Sequence, residues 1–151
     1  MSINIIAKNK KAYFDYEIIE KFEAGLLLQG SEVKALRAKR ANLKDGYCRF
    51  IKDELFLMNV HIAHLNTANS HYTPDSRVPR KLLLHKKQLN KIFSKIGREG
   101  LTVVPLMVYF NERNLAKISI GLAKGKQLHD KRADLKKKTL DREAKQAMKF
   151  R

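Results

Sequence analysis

Apolar and polar side chains alternate along several short stretches of this chain, and this alternation predicts β-strands. The clearest pair is Leu101–Phe110 and Leu115–Leu122, two β-rich runs separated by the polar segment Asn111–Asn114. Two such runs joined by a few turn-forming residues predict a β-hairpin. A second hairpin is predicted where Gly46–Ile51 and Glu54–Val60 flank a short turn.

The N-terminal third predicts two more strands followed by a helix. Tyr13–Glu20 and Glu23–Gln29 have the composition of strands, with Lys21-Phe22 as a tight connection between them. Ser31 is placed to cap a helix that continues to Ala38, because its hydroxyl accepts a hydrogen bond from a free backbone N–H of the first turn. These residues therefore add mainly to the β content of the chain.

One longer amphipathic helix is predicted for His85–Ile96, in which apolar residues recur at helical spacing. Gly97 and Gly100 follow and predict its end. Residues 61–76 are predicted to form a polar loop. Many short strands with turn signals and little helix predict a mainly β protein, built as a small antiparallel barrel.

The composition changes at Ala123, which divides the chain into a β-domain, residues 1–122, and a basic tail, residues 123–151. The tail contains eleven Lys or Arg and four Asp or Glu, and it has few large apolar residues. Such a segment buries too little apolar surface to offset its ordering entropy, so we expect the free tail to be disordered. One helical face would carry Leu140, Ala144, Ala147 and Met148, which predicts folding on contact with a partner.

The charge balance narrows the class of partner. Lys and Arg number 32 against 15 Asp and Glu, which gives a formal net charge of +17. A charge of this size favours binding to a polyanion, with nucleic acid as the first candidate and an acidic membrane surface as the second. No apolar run reaches the roughly 20 residues that span a bilayer, and the N-terminal stretch lacks the form of a signal peptide. We therefore expect a cytoplasmic protein.

Few residues of the chain suggest catalysis or metal binding. The single cysteine, Cys48, excludes an internal disulfide and a cysteine-based zinc site, and we interpret it as a packing residue in a strand. His61 and His64 have no Cys or acid placed to complete a metal site. We expect neither a cofactor nor enzymatic activity, and a nuclease site assembled in three dimensions is the open alternative.

Two basic clusters within the β-domain favour nucleic acid over a membrane. Residues 77–98 contain eight Lys or Arg and no acid. A solvated face is the ordinary explanation of a charge run, but a face of one sign is also the footprint of a nucleic-acid binder. In the second cluster, Asn9-Lys10-Lys11 precedes the rings of Tyr13, Phe14 and Tyr16. RNA bases stack on such rings, and a plain aromatic strand is the alternative explanation.

Five short blocks of sequence, taken together, resemble the small protein B family, the SsrA-binding proteins of bacteria. In chain order they are Glu23–Leu26 (EAGL), Gly30–Arg37 (GSEVKALR), Arg80–His85 (RKLLLH), Ala123–Lys126 (AKGK) and His129–Arg132 (HDKR). The resemblance extends from about Asn9 to the C-terminus. A general RNA binder, such as a ribosomal protein, would fit the charge alone equally well.

The resemblance implies a fold, a partner and a role. The fold is a closed six-stranded antiparallel OB-like barrel with flanking helices and a C-terminal tail that is disordered when free and helical on the ribosome. The partner is the tRNA-like domain of transfer-messenger RNA, and the role is its delivery to stalled ribosomes for trans-translation, which rescues the ribosome and tags the peptide. Alanyl-tRNA synthetase and elongation factor Tu act on the same RNA and are implied as indirect partners.

The resemblance also assigns RNA-binding residues. The RNA-binding Glu, Leu and Lys of the family correspond to Glu23, Leu83 and Lys117. The basic positions around them are Lys10, Lys34, Arg37, Arg80, Lys81, Lys124 and Lys126. Because Leu83 lies in an apolar run, packing in the core is an equally open interpretation of that residue.

In the family, the tail occupies the decoding centre and the message channel of the ribosome. The ribosome-contacting positions that the resemblance implies are Gly125, His129, Asp130, Lys131, Arg132 and Met148. Leu140 stands where family members often carry a bulky aromatic residue, which implies a weaker anchor for the tail helix.

Overall fold

The structure is a computed structural model that describes residues 3–63 and 76–126. Its helices are α1 (Lys10–Asp15), α2 (Gly30–Arg37) and α3 (Lys86–Glu99). Its strands are β1 (Asn4–Lys8), β2 (Tyr16–Leu26), β3 (Ala41–Asn42), β4 (Tyr47–Ile51), β5 (Glu54–Met58), β6 (His61–Ile62), β7 (Arg80–Leu83), β8 (Thr102–Phe110) and β9 (Ala116–Gly125).

Six of these strands form a ring. Their hydrogen bonds run in the order β8-β4-β5-β7-β2-β9 and return from β9 to β8, and every pairing is antiparallel. The join between β4 and β8 is the narrowest, since Cys48 opposite Val103 is its one register pair. β1 is not part of the ring and pairs with β8. β3 pairs with β6 in a small separate sheet. The prediction of a mainly β protein, with six strands in a ring and a few helices, is confirmed.

The main hydrophobic core draws on the ring strands and on two helices. Leu55, Leu57 and Ile120 from the strands have no exposed surface, and neither have Leu36 of α2 and Ile92 of α3. Burial of these side chains is the main favourable contribution to the fold. The two longer helices are therefore held on the ring by their apolar faces and are part of the same unit.

Cys48 lies in β4 and is buried, as the interpretation of a packing residue required. Burial in apolar surroundings raises the pKa of its thiol, because the charged thiolate is poorly solvated there. The thiol is therefore protonated at physiological pH and unsuited to nucleophilic chemistry.

Both predicted hairpins are confirmed. β4 and β5 flank Lys52 and Asp53, whose φ angles of 49° and 65° are those of a tight turn that matches the twist of the strands. β8 and β9 form the longer hairpin, in which the Asn111 side chain accepts hydrogen bonds from the backbone N–H groups of Arg113 and Leu115. Local sequence therefore defines these two pairs of strands.

The prediction for the N-terminal third is partly wrong. Tyr13 and Phe14 belong to α1 and not to a strand, because the Asn9 side chain accepts a hydrogen bond from Ala12 N at 3.2 Å and begins a helix there. β2 continues through Lys21-Phe22 without a turn. The pairing of β2 with β9 shifts register at a bulge between Ile18 and Glu20, so one bulged strand stands where two strands were predicted.

Two helix boundaries also differ from the prediction. Gln29, and not Ser31, is the N-cap of α2, and the Glu32 carboxylate accepts a hydrogen bond from its backbone N–H at 2.9 Å. α3 continues through Gly97 and ends at Glu99, where Gly100 caps it with a left-handed φ of 64°. Residues 80–83 form β7, a strand that was not predicted because these residues were interpreted only as part of a basic cluster.

The last strand extends past the predicted end of the β-domain. β9 runs through Gly125, beyond the boundary drawn at residue 122, so Lys124 and Gly125 lie in a strand. The tail positions His129, Asp130, Lys131, Arg132 and Met148 lie outside the described residues. Among residues 3–63 and 76–126, no helix is long and apolar enough to cross a membrane.

Candidate RNA interface

A groove on the outside of the ring brings together residues from three strands. Leu83 of β7 lies opposite Gly25 of β2, and Gly25 lies opposite Lys117 of β9. Glu23 is two residues from Gly25 and shares its face, because side chains alternate along a strand. The groove has a volume of about 500 Å³ and is lined by Glu23, Gly25, Leu83, Leu84, His85, Gln88 and Lys117. We call it the Glu23 groove.

Glu23, Leu83 and Lys117 are the three residues that the family resemblance singled out, and the fold places them in one site. Leu83 is 49% exposed, so the interpretation of this residue as part of the core is wrong. Its neighbour Leu82 is 2% exposed and occupies the core position. The alternation of β7 thus separates a packing leucine from a surface leucine.

The absence of a side chain at Gly25 keeps the groove open. A Cβ atom at this position would lie 3.2 Å from Leu83 Cβ, which is tighter than an ordinary van der Waals contact. Any larger residue would therefore push Leu83 aside or fill the space between Leu83 and Lys117. Gly25 is needed here for close approach and not for an unusual φ angle.

The Glu23 carboxylate is oriented by a hydrogen bond from Tyr109 of β8. The Tyr109 hydroxyl donates a hydrogen bond to Glu23 Oε2, and the tyrosine is 6% exposed. Burial raises the pKa of Tyr109, and the neighbouring carboxylate raises it further. The phenol therefore stays protonated and remains a donor throughout the physiological pH range, which leaves Glu23 Oε1 available as an acceptor.

A second groove continues along the same strands. Ser119 lies opposite Glu23 on β2 and opposite Met107 on β8, so it shares the face of the first groove. The volume of this groove is about 290 Å³, and its lining includes Lys8, Asn9, Lys10, Tyr13, Lys21, Leu106, Met107 and Ser119. We call it the Tyr13 groove.

Tyr13 combines an exposed ring with nearby cations. The ring is 47% exposed, and Lys21 Nζ lies 5.4 Å from its centroid. Lys126 Nζ donates to the Tyr13 carbonyl oxygen at 3.2 Å. An exposed ring beside ammonium groups suits a stacked base with adjacent phosphates. Of the three rings in the N-terminal cluster, Tyr13 on α1 faces outward, while Phe14 and Tyr16 are half-buried.

Three further lysines lie on β9 and α1. Lys117 lies near its start and Lys124 near its end, roughly 23 Å apart at the usual strand rise. Lys124 is exposed and lies opposite Glu17 of β2. Lys10 is exposed on α1. Because Lys117 and Lys124 are seven residues apart, they point to opposite faces of β9. Lys117 lines the Glu23 groove, and Lys124 lies at the end of the strand, outside both grooves.

Arg80 corrects one of the assignments. It is 3% exposed, and its Nε forms an ion pair with the buried carboxylate of Glu32. Its terminal nitrogens donate to four backbone carbonyl oxygens, those of Val60, Val78, Ile62 and Ser76. Every N–H of the guanidinium is thereby occupied. Arg80 is a structural residue that ties α2 to β7 and the segments beside it, and it has no N–H left for a phosphate.

The remaining basic positions are on the surface but outside the two grooves. Lys81 forms an exposed ion pair with Glu54 at 3.1 Å. The Arg37 guanidinium lies 4.9 Å from the centroid of the Phe110 ring, and Lys34 is exposed on the same helix, α2. The structure therefore places Lys117 in the Glu23 groove, Lys10 in the Tyr13 groove and Lys126 beside Tyr13. It leaves Lys34, Arg37, Lys81 and Lys124 outside both grooves.

Sequence reasoning missed Tyr109, Gly25 and Lys21 as parts of the site. Tyr109 lies in an apolar run, where nothing local distinguishes it from a core residue. Gly25 carried a signal, since an isolated glycine inside a strand indicates a bulge or a close approach. Within the part of the chain that the structure describes, no group of His, Cys, Asp or Glu could hold a metal ion.

A ring of antiparallel strands whose outer surface carries lysines, an exposed tyrosine ring and one oriented carboxylate is typical of a nucleic-acid-binding β protein. Comparison with known proteins is more specific. The family described as SmpB protein matches residues 6–150, and the chain belongs to this family.

Individual relatives agree with this assignment. The chain is 72% identical to the SsrA-binding protein of Sulfurovum sp. (strain NBC37-1), with 100% of this chain and 99% of the relative covered. It is 59% identical to the SsrA-binding protein of Wolinella succinogenes, with 99% of both chains covered. A solved structure described as "tmRNA-SmpB: a journey to the center of the bacterial ribosome" has a TM-score of 0.67 at 45% identity, and the match covers 83% of this chain and 86% of that chain.

Proposed function

We propose that this protein binds the tRNA-like domain of transfer-messenger RNA and delivers that RNA to stalled ribosomes for trans-translation. The observation that carries the proposal is the meeting of Glu23, Leu83 and Lys117 in one groove. The similarity to SsrA-binding proteins and to a solved tmRNA-SmpB chain supports the choice of this RNA over others. The protein would act in the cytoplasm, where the ribosomes are.

The chemistry of the face suggests how an RNA is held. Lys117, Lys124 and Lys126 would meet phosphates, while the exposed Leu83 side chain packs against a base or a ribose. Glu23 Oε1 would accept a hydrogen bond from a base amino or imino group, because carboxylates read such donors. Binding and positioning account for this role, and we propose no catalytic step for the protein.

The two parts of the chain would have separate tasks. The ring and its grooves bind the RNA, and the tail beyond Lys126 occupies the decoding centre and message channel. Alanyl-tRNA synthetase and elongation factor Tu would act on the same RNA as indirect partners. We propose that the OB-like barrel of the family is closed here at the short β4–β8 join, with the tail helix forming only on the ribosome.

Recovery of the bound RNA tests the proposal, and Leu83 provides the variant. The wild-type protein should retain one tRNA-like RNA from a bacterial RNA extract, and Leu83→Ala should weaken its binding roughly 5- to 30-fold through lost apolar contact. Thermal unfolding of Leu83→Ala should change little, because the side chain is half exposed. Preferential recovery of ribosomal RNA fragments would contradict the proposal and favour a general RNA binder.

The matched control is the adjacent leucine. Leu82→Ala should lower the free energy of unfolding by roughly 2–5 kcal/mol, because Leu82 is buried in the core. Its RNA affinity should remain near wild type under conditions where it is folded. The two neighbouring variants thus separate loss of a contact from loss of stability.

Tyr109 offers a second test, directed at the carboxylate. Tyr109→Phe removes the donor to Glu23 but keeps the ring, so RNA affinity should fall roughly three- to tenfold, the loss expected for one hydrogen bond. If the hydroxyl acts by orienting Glu23, the same change should have little effect in a Glu23→Ala background. An equal loss in both backgrounds would show that Tyr109 acts independently of Glu23.

A further inference from the structure

A third groove lies between α3 and the β4–β5 hairpin, separate from the two grooves described above. Its volume is about 360 Å³, and its lining residues are Phe50, Asp53, Lys86, Leu89, Asn90 and Phe93. We call it the Phe93 groove. It combines two aromatic rings with an amide, a carboxylate and an ammonium group.

The Phe93 ring is both exposed and fixed. At 59%, it is the most exposed of the large hydrophobic side chains that the structure describes. Phe50 meets it edge to face, with ring centroids 5.3 Å apart and an interplanar angle of 86°. Such a contact is favourable and restrains the orientation of the ring. A restrained, solvent-facing ring is a ready stacking platform for a base.

The helix that carries Phe93 is itself anchored. Lys91 and Lys95 donate to the Glu20 carboxylate of β2 at 2.7 and 3.4 Å. Ile92, one residue before Phe93, is fully buried in the main core. The position of the exposed ring therefore depends on contacts elsewhere on α3, and a substitution at Phe93 leaves those contacts in place.

Three polar side chains around the ring have no partner within the described residues. Neither a hydrogen bond nor an ion pair joins the side chains of Asp53, Lys86 or Asn90 to another residue of ranges 3–63 and 76–126. An amide and a carboxylate can exchange hydrogen bonds with the edge of a base, and a lysine can meet its phosphate. This set of groups matches a single nucleotide.

The groove also continues the surface assigned to RNA. His85 and Gln88, around the first turn of α3, line the Glu23 groove, while Lys86 and Asn90 line the Phe93 groove. The start of one helix thus separates the two grooves. An RNA held in the Glu23 groove needs to pass only this turn to reach Phe93.

We propose that Phe93 stacks on one unpaired base of the RNA held by the Glu23 groove. Asn90 and Asp53 would bind the edge of that base, and Lys86 would bind its phosphate. This proposal rests on the RNA-binding function above and adds a nucleotide site to it.

A tryptophan at position 93 tests the site directly, since the chain contains no tryptophan. In the full-length Phe93→Trp protein, saturation with transfer-messenger RNA should quench the tryptophan emission, because a stacked base contacts the indole face. The control is Tyr47→Trp, an aromatic position 42% exposed at the start of β4, whose emission should change little. Phe93→Ala should bind the RNA roughly 5- to 100-fold more weakly, as expected for one lost stacking contact.

The outcomes separate this site from the function on which it rests. If both tryptophan variants bind the RNA tightly and their emission responds alike, the Phe93 site is wrong and the RNA-binding function stands. Quenching by RNA-depleted ribosomal proteins but not by the RNA would overturn the site in favour of a protein partner. If even the wild-type chain does not bind the RNA, the proposed function itself fails.

Discussion

A shortened chain that ends at Lys126 is expected to retain its affinity for transfer-messenger RNA and to lose peptide tagging on stalled ribosomes. The reason for retained binding is structural. β9 is complete at Gly125, and the Lys126 backbone N–H donates to Asp15 O at 3.0 Å, so the ring and both RNA grooves end there. The measurements are RNA affinity and tagging in a reconstituted translation system.

Loss of tagging follows from the composition of residues 127–151. This segment is strongly basic and has few large apolar residues, which suits a segment that orders against ribosomal RNA. Substituting Asp130, Lys131 and Arg132 with Ala should impair tagging more than substituting Lys136, Lys137 and Lys138, because a mixed set of charges implies specific contacts. A shortened chain that tags as well as the full chain would remove the proposed division of tasks.

Replacement of Arg80 is expected to destabilise the fold strongly without removing a phosphate contact. Arg80→Met leaves the Glu32 carboxylate buried without its charged partner, and four carbonyl oxygens lose a donor. Breaking a buried pair in this way costs about 3–5 kcal/mol. Denaturant unfolding should report a loss of that size. If the Met variant does not fold, Arg80→Lys can be measured in its place, and it should show a smaller loss.

The neighbouring Lys81 is the matched control. Its ion pair with Glu54 is exposed, so Lys81→Met should change the free energy of unfolding by less than about 1 kcal/mol. The salt dependence of RNA binding distinguishes the two residues further. Loss of one phosphate contact reduces the slope of log affinity against log salt concentration by about one. Arg80 variants that remain folded should therefore keep the wild-type slope. A stable Arg80→Met protein with a reduced slope would reverse our assignment.

Much of the β structure could be predicted from the sequence, because the signals are local. The alternation of side chains and the turn residues between strands predict β4–β5 and β8–β9, whose partners are adjacent in the chain. Failures occurred where a local signal competed with a distant contact. The side chain of Asn9 caps α1 and also donates to Pro105 O at 2.9 Å, and no pattern within Tyr13–Tyr16 indicates that contact.

The candidate site was predictable only in part. The net charge and the five family blocks were enough to indicate RNA, and the family resemblance pointed to Glu23, Leu83 and Lys117. They did not indicate that Arg80 points inward while Lys81 points outward, because both belong to the same basic run. The difference depends on which face of β7 packs against Glu32 and the core.

Composition and local pattern by themselves determined the charge, the hairpins, the amphipathic helix and the class of partner, since each of these properties is read over a short window. The tertiary structure alone decided which residues meet. Closure of the ring places β2 between β7 and β9, and this arrangement aligns Leu83, Gly25 and Lys117 although they are far apart in the chain. The register of these pairings also turns Tyr109 toward Glu23. Such alignments depend on the register of long-range strand pairing, because a shift of one residue would turn every side chain of a strand to the opposite face.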